Sequence, residues 1–492
     1  MYSPTWDQFS ELNTKDGNLV AVHREVQADL ETPVSAYLKI AQGPYSFLLE
    51  SVEGGERLGR YSFIGTEPYR VVKTGPSQPE GEIDPLSLVE MELAQFRPQP
   101  TTGLPRFLGG AVGYLSFECI RYFEPRVPKA AHDPLGLPES LFMFTNTLLV
   151  FDHLKHTLHV VAHARLDGDR ERDYNAALQH IDALVERLGR PLPPPSDVGA
   201  GESADGGYTA NVTQDEYHRM VQRSREYIIA GDVIQVVPSQ RLMRPTTASP
   251  FDIYRSLRTV NPSPYMYYLH LDDFDIVGTS PEMLVRVEDQ LIEMHPIAGT
   301  RPRGADTAAD DALANDLRHD EKELAEHIML LDLTRNDVGR VSVPGTVEVP
   351  QVLDVERYSH VMHLVSHVTG RVAEGYSCYD ALRSCFPAGT VSGAPKIRAM
   401  EIITELEPEQ RGVYSGAIGY FSLDGNMDTA IAIRTMVVKD GVAYLQAGGG
   451  VVYDSDPERE YQETLQKMGA LLRAISEAEG TLGTLASNRR KE

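Results

Sequence analysis

Apolar residues along the chain fall into two rhythms, short runs that suit strands and recurrences every three or four positions that suit helices. Pro44-Tyr-Ser-Phe-Leu-Leu-Glu50-Ser51 is a β-type run closed by two polar groups. Residues 146–151 and 158–164 flank the turn sequence DHLKHT and predict a hairpin. Two strand-like runs surround Glu288-Asp289-Gln290, between 274 and 300. From 414 to 446 the pattern predicts a three-stranded meander, since Asp424-Gly425 and Asp440-Gly441 stand where a tight hairpin wants positive φ. Helical spacing predicts helices over 214–230 (stopped by Gly231), 310–338, 376–386 and 457–478, and residues 74–85 read as a surface loop. Pro, Gly, Ser and Asp dominate 191–207, which divides the chain into an N-terminal part (1–190), a linker, a larger part (208–482) and a disordered tail (483–492). Antiparallel strands with separate helices predict an α+β protein rather than a doubly wound one.

Composition narrows the function. With 41% apolar and 24% charged residues over 492 positions, the chain reads as an ordinary soluble globular protein. A net charge of -25 argues against nucleic-acid or anionic-membrane partners, which recruit basic patches. An anionic substrate therefore needs local arginine, lysine, backbone N–H groups or a metal ion. The N-terminus has no apolar signal region, and no run approaches the roughly 18 apolar residues of a membrane span, so a cytoplasmic location is expected. Cys119, Cys378 and Cys385 show no C-x-x-C spacing and predict neither a disulfide framework nor a zinc site.

Candidate chemistry collects at the C-terminal end. An apolar strand runs into Gly448-Gly449-Gly450, where backbone N–H groups can approach an anion, and Asp456-Pro457 then opens a helix carrying Glu460 and Glu463 on one face. A second pair, Glu323 and Glu326, lies about 60° apart on another predicted helix. Like charges at that spacing cost a bare helix a few tenths of a kcal/mol, so two such pairs invite a cation between the helices. Carboxylates without histidine or cysteine suit Mg²⁺ completed by water and an anionic substrate. His360, His363 and His367 lack the HExxH glutamate and a signalled fourth ligand; one of them as a general acid or base fits better than zinc. Gly389-Thr390-Val-Ser-Gly-Ala-Pro-Lys396 fails the Walker pattern, yet its N–H groups, hydroxyl and lysine can hold a carboxylate.

PIAGTRPRG (296–304), DLTRNDVGR (332–340), GTVSGAPK (389–396) and the QAGGG…ExxE segment stand in this order, and the chain from about 30 to 478 resembles the chorismate-utilising enzymes. Within them it resembles the large subunits of anthranilate synthases. The resemblance implies large antiparallel sheets packed as a sandwich with helices outside. Relatives that add water carry a lysine where this chain has Gln235, and relatives that aminate chorismate by way of a nucleophilic lysine carry it where this chain has Ala298. Glutamine cannot deprotonate water and alanine offers no amine, so ammonia is expected to attack chorismate directly.

The same resemblance implies the site. Glu326 and Glu463, supported by Glu323 and Glu460, hold Mg²⁺ on the ring carboxylate. Arg434, Tyr414 and the N–H groups of Gly448, Gly449 and Gly450 hold the enolpyruvyl carboxylate, with Gly299, Thr300 and Lys467 completing the cradle. Glu282 is the acid for the departing hydroxyl, His363 acts in pyruvate elimination, and Thr390 positions the substrate. Glu50 and Ser51, facing Pro264, Tyr265 and Met266, are implied to bind L-tryptophan as feedback inhibitor. A separate glutamine amidotransferase subunit, in a heterotetramer, is implied as the ammonia source, because no cysteine sits in a glycine-flanked nucleophile turn.

Overall fold

The computed structural model describes residues 1–52, 59–101, 103–194, 207–358 and 361–489. Two antiparallel sheets carry the fold. The twelve-stranded sheet runs Tyr2–Ser3, Leu19–Gln27, Thr157–Arg165, Thr147–Asp152, Tyr61–Thr66, Tyr45–Glu50, Tyr265–Leu271, Phe274–Ser280, Thr435–Lys439, Val442–Gly448, Ser239–Pro245, Thr209–Ala210. The ten-stranded sheet runs Ile297–Pro302, Val361–Arg371, Leu291–Met294, Met283–Glu288, Met427–Ile431, Ala417–Ser422, Gly110–Leu115, Ser140–Thr145, Arg70–Thr74, with Glu348–Arg357 added against Val361–Arg371.

Side chains alternate along each strand, so each sheet buries two faces. Phe47, Tyr267, Leu269, Ile276 and Val437 of the first sheet meet Val112, Tyr114, Met143, Ile418 and Ala430 of the second in the layer between them. The helices Pro33–Ile40, Arg170–Leu188, Pro250–Val260 and Pro457–Arg489 cover the outer face of the larger sheet. Glu321–Gly339, Cys378–Cys385 and Lys396–Leu406 contribute to the apolar layer on the smaller one. The α+β sandwich with helices outside is thus the observed architecture. All three cysteines are free and buried. Among the described residues no helix is long and apolar enough to cross a membrane.

Three expectations are corrected. The 414–446 stretch is two hairpins in different sheets: Ala417–Ser422 with Met427–Ile431 in the smaller, Thr435–Lys439 with Val442–Gly448 in the larger. Both Asp-Gly turns form, with Gly425 at φ 84° and Asp440-Gly441 at 50° and 74°; a turn signal selects the partner strand but not the sheet. The 310–338 helix is two, Thr307–His319 and Glu321–Gly339, because Asp320 stays extended and its carboxylate accepts the N–H groups of Lys322 and Glu323. Helix also continues to Arg489, through most of the stretch expected to be a disordered tail. The 191–207 boundary lies largely outside the described residues, and strands from both sides of it interleave in both sheets. The two parts of the sequence therefore share one sandwich.

The same two crossings between sheets position the chemistry. The chain leaves the larger sheet after Ser280 and enters the smaller at Met283, with Glu282 between; it returns after Ile431 through Ala432-Ile433-Arg434. Arg434 takes φ 50°, a left-handed conformation uncommon outside glycine, as the chain turns.

Candidate active site

Glu282 is buried beside Met283, Leu284, Met294 and Ile431. Burial pushes its carboxyl up to about 8, only partly offset by the Thr390 hydroxyl and by the charges of Arg434 and Lys467. Thr390 Oγ1 donates to Glu282 Oε1 at 3.0 Å from the short turn Gly389–Val391. Glycine at 389 leaves room for Leu333, whose Cδ2 a Cβ there would meet at 2.3 Å. At neutral pH Glu282 is a protonated acid.

Arg434 is the electrostatic centre. Burial lowers its pKa, and Tyr414, Glu463 and Glu282 are near enough to raise it again. Among the described residues it forms no ion pair within 4.0 Å, which leaves a guanidinium fork available to an anionic ligand. Its charge in turn depresses His363.

His363 stands opposite Thr300 where Val361–Arg371 pairs with Ile297–Pro302. Its Nδ1 is 3.0 Å from the Gly299 carbonyl and 3.0 Å from Thr300 Oγ1. A carbonyl only accepts, so Nδ1 carries the proton and Nε2 is left as the base. Burial lowers the pKa, keeping the ring neutral. Gly299 has φ 69°, and a Cβ on it would be 3.0 Å from Glu323 Oε2, so the turn places the histidine strand against the acidic helix. His367 is four residues along a strand rather than a helix turn and pairs elsewhere, which removes the zinc geometry; His360 lies outside the described residues.

The two acidic pairs occupy neighbouring helices. Glu323 is raised by burial and then by Glu326, and Glu460 by burial and also by Glu463, with Lys322 of the first helix acting on Glu460 of the second. Gln235 Nε2 donates to Glu326 Oε1 at 3.0 Å, while Gln235 Oε1 is buried without a partner. Lys467 Nζ joins Glu463 at 2.7 Å and the Gly448 carbonyl at 2.8 Å. Repulsion within each pair, only partly relieved by Arg301 at Glu323 and Lys467 at Glu463, and a carboxylate donor set fit a hard divalent cation. Among the described residues, however, no three His, Cys, Asp or Glu already stand in ligating arrangement; water and a substrate carboxylate would have to complete the shell.

The glycine run works differently from the expected N–H cradle. Gly449 N–H is bonded to the Pro238 carbonyl at 3.2 Å and so is not free for an anion, and the Gly448 carbonyl accepts from Lys467. None of the three glycines needs positive φ. They admit neighbours instead: a Cβ would meet Tyr414 Oη at 3.0 Å on Gly448, Glu460 Oε2 at 2.7 Å on Gly449, and Gln235 Nε2 at 2.8 Å on Gly450. The run thus lets Tyr414, Glu460 and Gln235 pack against three consecutive backbone positions.

Elsewhere between the sheets, a cavity of about 320 Å³ is lined by all five residues expected at the regulatory site, Glu50, Ser51, Pro264, Tyr265 and Met266. Met266 stands opposite Glu50 in the pairing of Tyr265–Leu271 with Tyr45–Glu50. Tyr254 Oη and Arg258 Nε both donate to Glu50 Oε2, which neutralises much of that carboxylate before any ligand arrives. The sequence reading missed the opposite wall, Phe107, Tyr420, Arg286 and Asp428. These residues are scattered over more than 300 positions and carry no local signal.

Residues 44–473 match the family of chorismate binding enzymes. With the sandwich and the acid–arginine–histidine site in place, this match defines the class: the chain belongs to the chorismate-binding enzymes. Within that class it groups with the anthranilate synthase component 1 proteins. It is 48% identical to anthranilate synthase component 1 of Pseudomonas aeruginosa over 96% of this chain and 99% of the relative. The Saccharomyces cerevisiae protein of that name is also 48% identical, over 91% and 90%. The crystal structure of anthranilate synthase component I from Streptococcus pneumoniae TIGR4 superposes with a TM-score of 0.75 at 38% identity, covering 91% of this chain and 99% of that one. The menaquinone-specific isochorismate synthase of Escherichia coli shares the fold, with a TM-score of 0.71 at 18% identity.

Proposed function

We propose that this enzyme aminates chorismate at C2 with ammonia and then eliminates pyruvate to give anthranilate. The observation that carries the proposal is a buried acid at Glu282, pushed up to about 8, beside an Arg434 that has no ion pair among the described residues. In the first step the C2–N bond forms as the C4–O bond breaks, and Glu282 gives its proton to the leaving hydroxyl, which departs as water. Arg434 and Tyr414 hold the enolpyruvyl carboxylate, and Thr390 keeps the acid in place. In the second step His363 Nε2 takes the C2 proton, the ether C–O bond breaks, and the ring becomes aromatic as pyruvate leaves. Gln235 in place of a lysine removes the base that water addition would need.

Mg²⁺ is the proposed cofactor, held by Glu326 and Glu463 with Glu323 and Glu460 behind them; when bound it supplies charge neutralisation for the ring carboxylate. Ammonia is proposed to come from a glutamine amidotransferase subunit, anthranilate synthase component II. This is supported by the state of the three thiols, all buried, with Cys378 and Cys385 pushed up to about 12 by burial and hence unfit as glutaminase nucleophiles. The 320 Å³ cavity is proposed to bind L-tryptophan as feedback inhibitor, its aromatic and thioether walls suiting an indole.

Purified protein given chorismate, Mg²⁺ and an ammonium salt should develop anthranilate fluorescence. Isochorismate or aminodeoxychorismate as the product instead would refute the proposal. His363→Ala should slow elimination more than amination, so the aminated intermediate should accumulate; an unchanged ratio of intermediate to anthranilate would remove that residue from the second step.

A further inference from the structure

The 320 Å³ cavity and the acid Glu282 are joined by a row of charged and polar side chains on one face of the smaller sheet. At the cavity, Tyr265 Oη donates to Asp428 Oδ1 at 3.1 Å. Asp428 stands directly across from Arg286, and Arg286 directly across from Glu293, so all three share a face. Arg286 donates to Glu293 Oε2 from Nε at 2.9 Å and Nη2 at 2.8 Å. Glu293 Oε1 is 3.2 Å from His367 Nε2 on the next strand. The His367 ring packs edge-on against His295, centroids 4.4 Å apart at 73°. His295 in turn lines a small cavity of about 20 Å³ whose other wall includes Glu282 and Thr390.

Two members of the row face two neighbours each. Arg286 is both a wall of the larger cavity and the partner of Glu293, to whose Oε2 it donates from two nitrogens. Glu293 gives Oε2 to Arg286 while its Oε1 lies 3.2 Å from His367 Nε2 without hydrogen-bond alignment, and its carboxyl is held down to about 2, with His367 and Arg286 as the lowering groups. The other two arginines lining the cavity are anchored elsewhere: Arg60 on Asp152 at 2.8 Å, Arg106 on Asp289 at 2.6 Å. Arg286 is thus the cavity cation whose partner chain runs toward the acid.

Resting on the reading of the cavity as a tryptophan site, we propose that the inhibitor acts through this row. The carboxylate of the bound amino acid competes with Glu293 for Arg286, and the loss is passed through His367 and His295 to the wall of the Glu282 cavity. A ligand can shift an equilibrium only by its differential contact with two states. Here the difference is the partner of Arg286, and a buried carboxylate that loses its arginine has strong reason to rearrange.

Glu293→Gln separates binding from inhibition, because it weakens the Arg286–Glu293–His367 linkage without touching the cavity wall. Tryptophan binding by calorimetry should be at least as tight as in the parent, because the competitor for Arg286 has lost its charge, and the rate without tryptophan should hold, while half-inhibition should need at least tenfold more tryptophan. His367→Asn should give the same split and serves if the first variant fails to fold. Inhibition of a folded variant at parental potency overturns the row, as does loss of binding together with inhibition, which would make Glu293 part of the ligand site. A parent protein that binds no tryptophan refutes the cavity reading itself, and the relay falls with it.

Discussion

The site at Glu282 and the 320 Å³ cavity are made from different parts of strands. The cleft at Glu282 and Arg434 is built where the chain passes from one sheet to the other, and its polar groups come from strand ends, the Gly389–Val391 turn and two helices. The 320 Å³ cavity draws instead on residues inside paired strands, such as Tyr267, Tyr420, Asp428 and Arg286, which point inward by strand alternation. Crossings leave side chains and turns free to converge around a charge. Paired strands offer a fixed, largely apolar wall that accepts a flat ligand. The cleft is accordingly the place where one substitution should stop chemistry, and the cavity the place where one substitution should alter only its control.

The contrast breaks most visibly at the acid. Glu282→Gln keeps the shape but has no proton to give and should lower kcat by roughly 10²–10⁴-fold; a loss under tenfold would show that the crossing does not supply the acid. In the parent, kcat should fall as pH rises through about 8, because burial has raised the carboxyl and the working form is the protonated one. Glu282→Gln should lose that limb. Arg434→Gln should follow, with kcat/KM for chorismate down about 30- to 1000-fold, the cost of roughly 2–4 kcal/mol for losing a charge-assisted contact to a carboxylate; KM unchanged would separate Arg434 from substrate binding. Chelation of divalent ions should remove activity that Mg²⁺ restores, and Glu326→Gln should need more than tenfold higher Mg²⁺ for half-maximal rate. An identical Mg²⁺ requirement would move the metal elsewhere. At the cavity, Ser51→Phe should fill the space for an indole, so half-inhibition should need far more tryptophan than the parent does. The smallest effect belongs to Tyr265→Phe, which removes one hydroxyl from Asp428 and should cost about 1 kcal/mol of stability in denaturant unfolding.

Much of the fold was legible because it rests on local rules. The helix Gln214–Ala230 ends at Gly231, which takes φ 84°, and the hairpin at 147–165 forms around its turn. The helix starting at Pro457 and the two acidic pairs lie where helical spacing puts them. The meander at 414–446 was misread because hairpin turns specify neighbours only, and sheet membership depends on which distant strand is available. The glycine run was read as an anion cradle because glycine permits close approach; only the packing shows that the approaching groups are Tyr414, Glu460 and Gln235.

The sequence alone determined which residues could carry chemistry. A glutamate after Ser-Pro, acidic pairs three apart, Gln235 rather than lysine, and a tyrosine beside a methionine are facts of order along the chain. Tertiary structure decided what those residues became. Burial turned Glu282 into an acid near 8, a strand pairing gave His363 its Gly299 partner, and the second crossing left Arg434 without an ion pair among the described residues. The reason is physical: a side chain's identity is local, whereas its pKa, its partners and its access to a ligand depend on dielectric and distance, which strands far apart in sequence set together.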